Sequence, residues 1–218
     1  MVKEMSDKLK AIIFDLDGTI ADSFHIGLEV ANALAQKYKY EPIVDSPIIR
    51  DLSFKEFLIS HLKLGKIRLI LWARETRRII SQRTDDIKIF PGMKDALEEL
   101  SKNYRVGILT SNSTKNVLTI LESNGIGHYF SFMYTNCPAF GKSRYLKKLL
   151  KAEKYKKKEV VYVGDEIRDV DSCIRVGMPM IAVTWGANSA KTLREAGANY
   201  FAAKPWDLVA IAKSLKGE

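Results

Sequence analysis

Apolar residues gather into short blocks along this chain, separated by stretches in which apolar positions recur every three or four residues. The blocks occupy residues 9–14, 105–109, 130–134, 160–163 and 180–184, with a further one at 200–202. Segments such as GILT and VVYVG are apolar without alternation, as expected of strands covered on both faces. Between the later blocks, the spacing predicts amphipathic helices over 92–102, 113–124, 143–153, 169–176 and 190–196. Strand and helix in alternation predict an α/β fold, a doubly wound parallel sheet of Rossmann-like type. Ligands of such sheets bind beyond the carboxyl ends of the strands.

One interval departs from this rhythm. Roughly ninety residues separate the first two strands, far more than one crossover helix requires. Helical periodicity covers 23–38, 46–64 and 66–83, punctuated by Pro42, Pro47 and Gly65, and Pro91-Gly92 marks the return. The expected organisation is a discontinuous α/β core, 1–20 with 88–218, interrupted by an all-helical domain over 21–87. Trp72, Leu71 and Ile79 are the expected core of that insert.

Composition adds limits. The 218 residues are 46% hydrophobic and 28% charged, ordinary for a globular protein. The net charge of +9 raises the question of nucleic acid. Its densest stretch, KSRYLKKLLKAEKYKKKE, carries Tyr145, Leu146, Leu149 and Leu150 at helical spacing, so most of its lysines belong to a solvated helix face. With no zinc-finger spacing and no aromatic RNA-binding motif, nucleic acid is not the expected partner. Cys137 and Cys173 lie apart without metal-ligand spacing, which suits a reducing compartment. The opening MVKEMSDKLK has no apolar signal segment and no run of about 18 apolar residues occurs, so no membrane association and a cytoplasmic location are expected.

Chemistry concentrates in AIIFDLDGTIADS, where the first strand runs into Asp15 and Asp17. Residues two apart on an extended chain share a face. Two such charges about 4 Å apart repel by roughly 4 kcal/mol at an effective dielectric near 20. The other strand ends explain why they are tolerated. The second strand ends in Thr110-Ser111-Asn112 before a helix, the fourth in Gly164-Asp165 with Asp169 four residues on, and Lys142 opens the preceding helix. Carboxylates gathered at one sheet edge can share a divalent metal, which offsets their repulsion. Magnesium keeps room in its shell for a substrate phosphate. Thr110 offers a hydroxyl beside free N–H groups at a helix start, and Lys142 an ammonium for a phosphoryl oxygen. A carboxylate can attack phosphorus while a second moves protons to the leaving oxygen and from water.

Each piece alone is weak. D-x-D recurs at Asp169-Val-Asp171, a lone lysine is usually surface, and His25, His61 and His128 share no spacing. Order and strand-end placement give the set its force.

The motifs IIFDLDGTI, GILTSN, FGKS and VVYVGDEIRD, in that order, resemble the four motifs of the haloacid dehalogenase superfamily, in its phosphoglycolate-phosphatase-like branch with a helical cap. The resemblance covers nearly everything from Leu9 onward. It implies a phosphoric monoester hydrolase acting on small phosphorylated metabolites through an aspartyl-phosphate. It further implies Asp15 as nucleophile, Asp17 as general acid/base, and Mg²⁺ held by Asp15, the Asp17 carbonyl and Asp165 with Asp169 supporting. Thr110, Lys142, Ser111 and the backbone around Gly18 would bind the phosphoryl group. Gly18 allows the sharp turn where a side chain would crowd the phosphate. Dehalogenase members lack the second Asp of D-x-D, so Asp17 favours phosphoryl chemistry.

The insert resembles the family's mobile cap. There Arg50 either reads a substrate anion or pairs on the surface with Asp51 or Glu56. Rival readings are a sugar-phosphate mutase, a phosphonate hydrolase using Lys55, Lys63 or Lys66 as a Schiff base, a silent binding protein and a nucleic-acid binder. Oligomeric state, monomer or dimer, stays open.

Overall fold

The computed structural model describes residues 8–138 and 141–215, so Phe140 of the FGKS motif and the first seven residues lie outside it. Six parallel strands form one sheet in the order β3-β2-β1-β4-β5-β6: β1 (Ala11–Phe14), β2 (Arg105–Leu109), β3 (Phe130–Tyr134), β4 (Val160–Gly164), β5 (Met180–Val183) and β6 (Tyr200–Ala202). The order reverses at β1, between β2 and β4, which places the crevice of a doubly wound sheet above β1. Successive β1 residues point to opposite faces. Ile12 and Phe14 enter one apolar cluster, with Leu97, Val117 and Val163, while Ala11 and Ile13 enter the other, with Leu146, Tyr162 and Met180. Both faces are therefore buried, as the unalternating strand sequences require.

Helices α5 (Met93–Ser101), α6 (Thr114–Ser123), α7 (Lys142–Ala152), α8 (Ile167–Val176) and α9 (Ala190–Glu195) stand within two residues of the predicted bounds. A last helix, α10 (Asp207–Leu215), had not been predicted; Leu208, Val209 and Ala212 cover the first cluster.

The insert departs and returns side by side. Asp22 N–H donates to Lys88 O at 2.8 Å and Phe90 N–H to Ile20 O at 3.0 Å. Between them lie α1 (Phe24–Tyr38), α2 (Pro47–Arg50), α3 (Phe54–Phe57) running into a π-helical turn, and α4 (Lys66–Ser81). Ala31, Leu34, Tyr38, Ile43, Leu62 and Trp72 form a third apolar cluster of the insert's own.

Two expectations need correcting here. Residues 46–64 are not one helix: Ser53 starts a new one, its hydroxyl accepting from Glu56 N–H while Glu56 returns a bond to Ser53 N–H. The carbonyls of Arg50 and Leu52, which a continuous helix would use internally, are taken by Asn188 of the core. Leu71 is half exposed whereas Trp72 is buried, because one residue turns a helix face by about 100°.

Candidate active site

Asp15 continues β1, its N–H bonded to Val163 O at 2.9 Å in β4. One carboxylate oxygen accepts from Leu16 N–H at 2.8 Å and the other from Lys142 Nζ at 2.6 Å. Lys142, first residue of α7, also reaches Asp169 Oδ1 at 2.5 Å. It is only 1% exposed, so a lysine that opens a lysine-rich helix is nonetheless wholly interior. Burial works against its charge, but Asp15 and Asp169 outweigh that and hold it protonated, above the ordinary lysine value.

Asp165 follows β4 and Asp169 lies in the first turn of α8. One oxygen from each of Asp15, Asp165 and Asp169 lies within 4.8 Å of the other two. All three are buried. Burial first, then Glu166, Asp169 and Asp15, raise the Asp165 carboxyl well above the usual carboxylate range. Asp169 is raised too, by burial and by Asp15, against the pull of Lys142. A divalent cation would relieve that repulsion, and an all-oxygen donor set suits a hard ion. The residues present fit a metal.

The Asp17 carboxylate is not part of this cluster. It accepts from Asn112 Nδ2 at 3.0 Å, and burial and Asp15 push its pKa up, against hydrogen bonds from Ser23 and Asn112 and the nearby Arg168. A carboxyl raised in this way can carry a proton to a reacting oxygen. Gly18 adopts φ +72°, and a Cβ there would stand 2.1 Å from Asp165 Oδ2. The sequence reading made the phosphate the group that a side chain would crowd; the structure puts a proposed metal ligand there instead.

Thr110 is fully buried at the end of β2, its hydroxyl accepting from Asn112 N–H at 3.2 Å. Ser111 follows it, and Ser113 caps α6 by accepting from Asn116 N–H. Asp15, Lys142, Asp165 and Asp169 thus meet above β1, and Asn112 joins Asp17 beside them.

Arg50 is placed differently. Its Nε and Nη2 donate to the Asp45 carboxylate at 2.8 and 2.9 Å, its Nη1 donates to Gly186 O at 2.7 Å, and the guanidinium lies 4.6 Å from the Phe24 ring centre. It joins the insert to the core and pairs with Asp45, neither Asp51 nor Glu56. Asp51 instead binds Ser189 and Thr192 of the core.

Sequence reasoning missed several residues. Thr19 donates to Asp165 Oδ1 at 2.8 Å. Ala187 N–H donates to Asp165 Oδ2 at 2.8 Å, and Asn188, next in line, accepts from Ile167 N–H at 3.0 Å while binding the insert. Arg168 pairs with Glu166. Thr19 adjoins the D-x-D motif, and its type alone was a signal; Asn188 had none, since its partners come from two distant segments, 50–52 and 165–167.

A model of the haloacid dehalogenase-like hydrolase family matches residues 12–183. The chain belongs to that family. A phosphoglycolate phosphatase from Synechococcus elongatus is 35% identical over 95% of this chain and 99% of its own, and one from Photorhabdus laumondii is 26% identical over 88% of each. Among solved structures, a haloacid dehalogenase-like hydrolase from Streptococcus pneumoniae superposes with TM-score 0.79 at 26% identity, covering 93% of this chain and 98% of that one. The family and the α/β fold expected from the motifs are therefore borne out, and so is the enzyme class, a hydrolase whose curated relatives are phosphatases. Among the described residues, no helix is long and apolar enough to cross a membrane.

Proposed function

We propose that this haloacid dehalogenase-like hydrolase is a Mg²⁺-dependent phosphatase of small phosphorylated metabolites, phosphoglycolate among them, that works through an aspartyl-phosphate. One observation carries the reading: a buried lysine bridges Asp15 and Asp169 while Asp165 closes an oxygen cluster around them. Asp15, Asp165, Asp169 and the Asp17 carbonyl would hold the Mg²⁺, which supplies positive charge for the phosphoryl oxygens.

The chain's own residues account for the steps. An Asp15 oxygen forms a bond to phosphorus as the ester P–O bond breaks. Asp17 gives its proton to the departing oxygen, so the leaving group departs as a neutral hydroxyl. Asp17 then takes a proton from water, whose oxygen attacks phosphorus, releases phosphate and restores Asp15. Lys142, Thr110, Ser111 and the N–H groups around Gly18 hold phosphoryl oxygens throughout.

The helical insert, 21–87, acts as a cap over the site. A phosphonate hydrolase would need a Schiff-base lysine there, and Lys55, Lys63 and Lys66 are all exposed on its surface. Two free, buried cysteines accord with a cytoplasmic location. The test is a single turnover with a phosphate monoester and Mg²⁺, quenched in acid and digested. Phosphate should sit on the peptide carrying Asp15; release without that adduct in the wild type, or undiminished release from Asp15→Asn, overturns the reading.

A further inference from the structure

A cavity of about 280 Å³ opens between insert and core. Phe24, Leu28, Phe54, Phe57 and Trp72 are in its wall on the insert side, and Glu166, Ala187 and Asn188 close it on the core side. It begins beside the site already described, since Ala187 N–H holds Asp165 and Glu166 follows Asp165 in sequence. An enclosed apolar space of about 150 Å³ is enough for benzene, so this one admits a substituted ring.

The lining selects against charge. Among the described residues no Lys, Arg or His lines the cavity, and its one ionisable group is the Glu166 carboxylate, already paired with Arg168. An anionic leaving group would stand in apolar surroundings beside a like charge. Two cations stand behind the wall: Arg50 has Asp45 and Gly186 for partners, and Arg168, over the Phe54 ring, is neutralised by Glu166. Of the polar groups in the lining, Asn188 spends its amide on Arg50, Leu52 and Ile167, whereas the Thr76 hydroxyl is buried without a hydrogen-bond partner; Arg168 Nε, behind the lining, is the other buried side-chain atom so left among the described residues.

We propose that this cavity is the leaving-group site and takes a neutral, apolar, ring-sized group bearing one hydrogen-bonding atom for Thr76. The inference rests on the phosphatase reading and adds a substrate class to it, phosphate monoesters of aromatic or bulky aliphatic alcohols. These occupy the cavity, which the two carbons of glycolate leave mostly empty.

Gly27 gives a test that spares the fold. It lines the cavity within α1, and a Cβ built on it meets nothing within 4 Å. Gly27→Leu should therefore fill the cavity while improving helix propensity. The measurement is kcat/KM with Mg²⁺ for ethyl phosphate, 2-phenylethyl phosphate and phosphoglycolate, on wild type and variant. These alcohols leave with comparable basicity, so the ring itself is what differs. In the wild type 2-phenylethyl phosphate should exceed ethyl phosphate by about tenfold or more, and should also exceed phosphoglycolate. Gly27→Leu should cut the ratio of 2-phenylethyl to ethyl phosphate at least tenfold. Thr76→Val, which keeps the wall's shape, should lower the ratio of 2-(4-hydroxyphenyl)ethyl to 2-phenylethyl phosphate. Equal rates for ethyl and 2-phenylethyl phosphate, phosphoglycolate as the fastest substrate, or an unmoved ratio in either variant overturns the inference and leaves the phosphatase reading standing. Release from none of the esters overturns that reading, and the inference with it.

Discussion

Asn188 Nδ2 lies 2.9 Å from the carbonyl oxygen of Arg50, and the Arg50 guanidinium returns a bond to Gly186, two residues before Asn188. Insert and core thus clasp each other at a loop that also holds Asp165. Docking of the insert and the shape of the metal site share one set of hydrogen bonds.

Asn188→Ala should loosen both. It strips the amide from Leu52 O and Ile167 N–H, and each buried group left unpaired costs about 1–3 kcal/mol. Hydrogen exchange should quicken over 47–57, and the Mg²⁺ concentration for half-maximal rate should rise. Asn188→Asp keeps the acceptor for Ile167 but sets a carboxylate against two carbonyls, so it should open the insert with less effect on Mg²⁺. An equal rise in the Mg²⁺ requirement for the two variants would mean that the Ile167 contact does not shape the metal site.

Asp15→Asn should abolish turnover and leave the fold intact, because the amide keeps the shape but is no anionic nucleophile. A rate near the wild type's would exclude the covalent route. In contrast, Lys142→Met should do damage twice. It removes a charge from the phosphoryl site, so every substrate should lose kcat together. It also leaves Asp15 and Asp169 buried and unpaired, and breaking a buried pair in this way costs about 3–5 kcal/mol. In a chain of this size each kcal/mol is about 2–4 °C in Tm. A Lys142→Met protein with unchanged Tm would mean that the carboxylates find other partners.

The sheet was legible almost to the residue because its inner strands β1, β2, β4 and β5 are buried on both faces and so read as unalternating apolar runs. The candidate site was legible for a related reason: three motifs at strand ends and a fourth at a helix start, all on the carboxyl side of one parallel sheet, share one edge. The insert was less so. The break at Ser53 had a local signal that went unread, the Ser53-x-x-Glu56 capping box; what no local pattern carries is Asn188 taking the carbonyls of Arg50 and Leu52. Leu71 and Trp72 compete for one face, and only packing decides between them. Gly18 was rightly singled out as a turn, but its neighbour Asp165 is remote in sequence and could not be named from the motif alone.

Stability should answer to metal and pH together. The folded carboxyls of Asp165 and Asp169 sit above the ordinary 3.8, so between that value and their own the native state holds protons that the unfolded chain has lost. The slope of stability with pH is then negative for these two groups. Their contribution is present in acid and fades as pH climbs through the folded values. Asp45 and Asp51, lowered by their hydrogen bonds to Arg50 and to Ser189, work in the opposite sense. The useful quantity is therefore the rise in Tm caused by Mg²⁺, compared at pH 5 and pH 7.5. Metal competes with protons for the same oxygens, so the rise should be larger at pH 7.5. A larger rise at pH 5 would mean that Mg²⁺ binds away from the cluster.

The last prediction concerns Arg50, for which the sequence allowed either a surface pair or a reader of substrate anions. In the structure its donors bind Asp45 and Gly186, and its plane covers Phe24, which also lines the cavity. A residue so engaged acts on every substrate alike, through closure of the insert. Arg50→Ala should then lower kcat/KM for phosphoglycolate and for a neutral-group ester by the same factor, with faster hydrogen exchange over 47–57. A residue that contacts the substrate anion behaves otherwise: loss of one charge-assisted contact, about 1.5–3 kcal/mol, would fall on phosphoglycolate alone, roughly ten- to a hundredfold. Closure energy can also be spent on assembling the site, so absolute rates do not separate the two roles. The ratio between the substrates, measured on one variant, does. A ratio that shifts tenfold against phosphoglycolate would return Arg50 to substrate recognition, and would require it to leave Asp45 when substrate binds.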